Sequence, residues 1–193
     1  MPVLARLPHG VPAGVTGQRR RGSGGQRGLC VRHPEGIVGR GAKCLLFEGG
    51  VTDIGIEPKG VYPETLMYIT GIEDTALAER YLAIAWEAIA YVAERYGDRV
   101  YLGVGLPYNS ALISLEEVEL FGRRLAAIDS ELQLCVLDHF PTFRRQELEW
   151  SHPTEMLAVK RLLERTGLKT VVVQTAVGHF GPFSGYPNLT SRV

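Results

Sequence analysis

The stretch Asp138-His139-Phe140-Pro141-Thr142-Phe143-Arg144-Arg145 follows an apolar run and sets an acid and an imidazole ahead of two guanidinium groups. An imidazole beside a carboxylate can move a proton or hold a ligand's carboxylate, and a guanidinium can grip a carboxylate or phosphate through two parallel N–H groups. Each residue also has a plainer use. Asp138 orients His139, pairs with Arg144, or is a solvated turn acid before Phe140-Pro141; His139 is a rim residue bonded to backbone or a ligand contact; Arg145 suits a surface pair with Glu147 and Glu149. Polar residues recur behind apolar runs elsewhere: Glu57 and Lys59, Asn109 behind Pro107-Tyr108, Gln174 and Thr175, and His179 in Gly178-His179-Phe180-Gly181-Pro182. Asn109 is a natural turn former. His179 either contacts a ligand or closes the mouth of the fold.

Several other chemistries lack their residues. The chain has no phosphate-cradling G-x-x-x-x-G-K-S/T loop, no G-x-G-x-x-G behind a strand, no G-x-S-x-G elbow and no zinc-type His/Cys spacing. Glu116, Glu117 and Glu119 read as a helix start favoured by the dipole rather than as a catalytic pair. Cys30, Cys44 and Cys135 are an odd set at long, irregular spacings, which argues against a secreted disulfide framework and for a reducing, cytoplasmic setting. Cys135, between Leu134 and Val136, reads as packed core, and no metal site is expected.

The elements that must position these residues alternate regularly. Thr52 to Glu57 is a short β-type run, and Thr75 to Tyr96 is a helix with Leu77, Tyr81, Ile84, Ala88, Tyr91 and Val92 on one face, stopped by Gly97. Val100 to Leu106 is a second strand. Ser114-Leu115-Glu116-Glu117 is a capping box that opens a helix burying Val118, Phe121, Leu125 and Ile128. Leu132 to Leu137 is a third strand. His152 sets the entry to a helix that runs from Pro153 to a stop at Gly167, and Lys169 to Gln174 is a fourth strand.

Apolar strands alternating with amphipathic helices imply a parallel sheet whose strand C-termini share one edge, and that edge collects the polar residues above. The expected fold class is α/β: a partial parallel (β/α) barrel of about four βα units, half of a barrel that takes ~250 residues for eight. Open sheet edges invite self-association, closure as a doubly wound sheet, or missing front strands.

Residues 1–43 hold eight Lys/Arg against one acid and ten glycines, without a period that could bury a face, so this segment is expected to be disordered, ahead of a partial barrel over 44–193. It lacks the aromatic interleaving of a nucleic-acid arm and the amphipathic helix of a transit peptide. The abrupt change at Cys44 fits a misplaced start or a frameshift. No apolar run approaches the ~18 residues of a membrane span, so neither nucleic acid nor membrane is an expected partner.

Taken in order, Glu57-Pro58-Lys59-Gly60, Tyr68-Ile69-Thr70-Gly71-Ile72-Glu73-Asp74, Leu106-Pro107-Tyr108-Asn109, Asp138 to Arg145, and Gly178-His179-Phe180-Gly181-Pro182 resemble the C-terminal half of a radical S-adenosylmethionine enzyme, nearest to pyruvate formate-lyase activating enzymes. The resemblance spans roughly Leu45 to Pro187. It implies that Lys59 and His139 lie near bound S-adenosylmethionine, with Asn109 also on the cofactor side and Asp138, Arg144 and His179 toward a small-molecule or protein substrate. Glu57 stands where the family has aspartate, and Asp74 where asparagine is frequent. The family's C-x-x-x-C-x-x-C loop, which holds its four-iron four-sulfur cluster, is absent, as is the Gly-Gly-Glu block that follows it. The chain is therefore expected to bind no cluster and to be inactive alone. The alternative expectation is a non-catalytic βα-repeat module that holds a small anion at the strand C-termini.

Overall fold

The computed structural model of the chain describes residues 4–6, 47, 49–141 and 146–182. In chain order its elements are β1 (Leu4–Arg6), β2 (Asp53–Ile56), α1 (Pro63–Thr70), α2 (Thr75–Tyr96), β3 (Tyr101–Tyr108), α3 (Leu115–Ile128), β4 (Gln133–Asp138), α4 (Pro153–Arg165), β5 (Thr170–Thr175) and β6 (Gly178–Phe180). They build an α/β fold on one six-stranded sheet whose spatial order is the chain order. β2, β3, β4 and β5 pair in parallel, and the three-residue β1 and β6 add antiparallel at the two flanks. No helix among the described residues is long and apolar enough to cross a membrane.

Sequential order has a consequence for the layers. Parallel crossovers are right-handed, so strands added one after another in the same direction carry all their connecting helices on one side. The burial of the strands follows suit. Along β3, β4 and β5 a buried residue alternates with a half-buried one over most of the length. Leu102, Val104, Leu106, Leu134, Val136, Val171 and Val173 join the helices in one core with Trp86, Ile89, Val118, Phe121, Leu125, Met156 and Leu163. The opposite face carries Gly55, Gly103, Gly105, Cys135 and Val172, and Tyr101 at its foot is half exposed.

Local signals explain most element ends. Ser114 caps α3 by accepting from Glu117 N at 3.1 Å, and His152 Nδ1 caps α4 by accepting from Thr154 N at 3.3 Å ahead of Pro153. Asp74 Oδ1 caps α2 by accepting from Leu77 N at 3.0 Å. Gly71 closes α1 at φ 75° and returns its N–H to Met67 O.

Three expectations are corrected. The α2 face is turned: Ala78, Leu82, Ala85, Trp86, Ile89 and Val92 are buried, while Leu77 and Tyr81 are exposed. Small alanines let that side approach the sheet, and Trp86 supplies the large apolar group. Within the segment expected to be disordered, Leu4–Arg6 is a strand on β2, placed by the backbone donors and acceptors of a sheet edge rather than by any side-chain period; residues 7–43 lie outside the described residues. Cys135 lies on the half-open face and not in the core.

α3 and α4 meet closely at Gly122. A Cβ there would lie 2.6 Å from Thr166 Oγ1 and 2.9 Å from Leu163 Cδ2. Helix propensity alone favours Gly122→Ala by up to ~1 kcal/mol, but overpacking a tight contact costs ~1–3 kcal/mol. Chemical denaturation of Gly122→Ala is expected to show a net loss of stability.

Candidate functional site

The loop behind β2 is the most constrained part of the C-terminal edge. Lys59 adopts φ 74°, the left-handed region in which a residue with a Cβ is disfavoured, and Gly60 follows at φ 141°. The Lys59 ammonium forms an ion pair with Glu57 Oε1, both side chains being largely shielded. What holds the backbone in this shape comes from elsewhere in the chain. Glu117, 3 % exposed, accepts with Oε1 from Val61 N at 2.7 Å and Tyr62 N at 3.0 Å, and with Oε2 from Thr65 Oγ1 at 2.6 Å. Trp86 Nε1 donates to Gly60 O at 3.3 Å. Gly60 cannot be replaced without displacing this clamp, since a Cβ there would sit 2.7 Å from Glu117 Oε1. The capping box expected at Ser114 is therefore half made: the Glu117 side chain reaches the β2 loop, whose bare N–H groups need an acceptor.

At the ends of β3 and β4 the polar residues serve the architecture. Asn109, 4 % exposed, donates from Nδ2 to His139 O at 3.2 Å and to Glu149 O at 2.8 Å, while Oδ1 accepts from Ala111 N at 3.0 Å. Both amide hydrogens are thus spent inside the fold, and Asn109 acts as a clamp between two loops. His139 continues the ladder by donating its N–H to Tyr108 O at 2.9 Å, and its side chain is half-buried. Phe140 and Trp150 stack with centroids 4.3 Å apart, which ties the start of the β4–α4 connection to its end. Asp138 shares the parity of Leu134 and Val136 and is buried toward the helices. That parity turns Asp138, expected toward a substrate, to the helix side of the sheet. Arg144 lies outside the described residues.

His179 is exposed on β6 and is the cross-strand partner of Gln174, so the two side chains share a face. Below them the half-open face carries a row of register neighbours, with Glu57 over Gly105, then Cys135, then Val172. Glu57 Cγ lies 3.1 Å from where a Gly105 Cβ would be. Burial, and then the nearby Glu57 carboxylate, push the Cys135 thiol above its ordinary value, so it is kept as the neutral thiol rather than as a nucleophilic thiolate.

The edge thus brings Lys59, Asn109 and His139 onto the loops of three adjacent strands, with His179 two strands farther from Lys59 than His139 is. Sequence reading missed Glu117 and Trp86 as the residues that shape the Lys59 loop. No protein-family model, curated protein or solved structure matches the chain.

Two substitutions test this geometry. Glu117→Ala removes the acceptor of Val61 N, Tyr62 N and the buried Thr65 hydroxyl, and is expected to cost ~1–3 kcal/mol in urea unfolding, with Glu117→Gln costing less because one oxygen still accepts. Lys59→Gly removes the left-handed strain of ~1–2 kcal/mol against an entropic cost of ~0.5–1 kcal/mol. Its thermal midpoint is expected at or slightly above that of the parent, despite loss of the ion pair.

Proposed function

We propose that the chain is a segment of a (β/α) barrel of the radical S-adenosylmethionine type, akin to pyruvate formate-lyase activating enzymes, and that it supplies one wall of an anion-binding site centred on Lys59. The observation that carries this reading is Lys59 itself. A lysine held in the left-handed region by a buried carboxylate and an indole from other elements is a strained residue whose surroundings over-determine it, a pattern that clusters at ligand sites. Its ammonium stands at a strand C-terminus of a singly wound sheet, where barrels bind ligands. Lys59 would take the carboxylate of S-adenosylmethionine, and the His139 imidazole, one loop further along, would add a hydrogen bond.

In the intact family a four-iron four-sulfur cluster supplies the electron that cleaves S-adenosylmethionine, and it needs three thiolates. Cys135 is the cysteine among the described residues, and no group of three His, Cys, Asp or Glu is placed to hold a metal among them. The described residues do not fit a cluster, and the part proposed for them is binding and orientation.

A second reading has its own support. β1 and β6 run antiparallel at the flanks of the parallel strands, which suits a self-contained sheet better than a wall that continues into further βα units. On that reading the chain is a non-catalytic module that holds a small anion at Lys59, and its two short edge strands offer the route to self-association.

Calorimetric titration with S-adenosylmethionine and, separately, inorganic phosphate distinguishes the two. The first reading expects S-adenosylmethionine to bind, at least tenfold more weakly to Lys59→Ala, the loss of one charge-assisted hydrogen bond of ~1.5–3 kcal/mol. It also expects no 5'-deoxyadenosine after anaerobic iron-sulfide treatment and reduction. Phosphate binding that depends on Lys59 without S-adenosylmethionine binding favours the module. Absence of Lys59-dependent binding of either removes both.

A further inference from the structure

Where β3 and β4 end, the helix-facing side of the sheet turns polar. Tyr108 and Asp138 are register partners there, side by side under the start of α4. Tyr108 OH donates to Glu155 Oε1 at 2.9 Å, which commits its proton. Asp138 and Ser151 are each 5 % exposed. Asp138 Oδ1 accepts one long bond, 3.4 Å from Ser151 N, while Asp138 Oδ2 and Ser151 Oγ have no hydrogen-bond partner.

A buried carboxylate is ordinarily kept ionised by two or three donors or by a cation. Asp138 has one stretched donor. The groups that face it are Glu155 from α4, His139 from its own chain end, the Ser151 hydroxyl and N–H from the β4–α4 connection, and Tyr108 from β3. Burial raises the Asp138 carboxyl above its ordinary 3.8; Ser151 opposes that rise, Glu155 adds to it and His139 counters it, and the rise prevails. The Ser151 hydroxyl exerts its pull from close by even though its oxygen and Asp138 Oδ2 are not in hydrogen-bonding geometry.

We propose that Asp138 is held as the neutral acid where Ser151 meets the end of the sheet, and that this uncharged contact latches the Ser151 end of the β4–α4 connection, which loosens as the proton is lost. The proton removes the negative charge that would otherwise face Glu155 in a buried place. Loss of the proton leaves a buried charge held by one long bond. The latch reaches the rim because the same connection starts with His139 and includes Glu149, whose carbonyl accepts from Asn109. The folded-state value being raised, the folded chain holds more protons than the unfolded one between 3.8 and that value. The latch's contribution to stability is therefore complete below 3.8 and is lost as pH rises through the folded-state value.

The chain has five aspartates, Asp53, Asp74, Asp98, Asp129 and Asp138, so carbon-13 labelling of aspartate carboxyls gives a readable titration. One signal is expected to titrate above the ordinary 3.8 and to be missing from Asp138→Asn. Through the same pH interval the Ser151 amide should lose roughly tenfold of its hydrogen-exchange protection in the parent, the scale of one modest hydrogen bond, and none in Asp138→Asn. Five aspartates titrating together, or a late signal that survives Asp138→Asn, overturns the proposal. If Asp138→Asn does not fold, the parent still decides: a late titration with no change at Ser151 overturns the latch, and coincidence of the two supports it.

Discussion

The Glu117 carboxylate is the contact on which the arrangement of the C-terminal edge rests. It belongs to α3, yet its three hydrogen bonds go to the loop behind β2 and the first turn of α1. Hydrogen bonds to a buried carboxylate are worth more than neutral ones, and the Thr65 hydroxyl, buried beside it, would be left without an acceptor if it were removed. The bonds thus fix one βα unit against the next by their polar groups. Trp86 reinforces the joint: its ring packs on Phe121 at 4.8 Å, the Arg124 guanidinium lies over it at 4.4 Å, and its N–H reaches Gly60 O. Lys59 inherits its conformation from this joint.

The sheet obeys a second constraint. With β2 to β5 added in order and in one direction, the helices cover one face and leave the other half open. Glycines at 55, 103 and 105 keep that face low, and the Glu57 side chain lies across it. Polar residues at the strand ends then divide by parity. Asp138 goes under the helices and serves the latch, whereas Gln174 and His179 share the opposite face. Neighbours in sequence at one edge can therefore have unrelated work.

Much of this was legible in the residues. Continuous apolar runs place β3, β4 and β5 to within two residues, since a buried parallel strand tolerates little else, and Ser114, Pro153 and Gly97 mark helix ends through their local chemistry. α1 escaped notice although Pro63, Glu64 and Gly71 are ordinary start and stop signals, because a helix of eight residues has too few turns to show a period. β1 has no local signal at all. The partners of Glu117 stand 52 to 56 residues away, a relation that no local pattern encodes, so the same Ser-x-x-Glu string reads as a capping box. Asp138 is different: counting alternate positions from Leu134 through Val136 assigns it to the covered face, and its nearness to His139 hid that.

The proposed ligand site depends on Lys59 as its centre. Nitrogen-15 labelling of the lysine ammonium groups and the backbone, followed during titration with S-adenosylmethionine, examines this directly. The expected result is that the Lys59 Nζ signal and the Gly60 and Val61 amides move first and saturate together, as the ammonium leaves Glu57 for the ligand. Changes centred at the opposite end of the sheet, around Tyr101 and Gln133, with Lys59 unmoved, would contradict it.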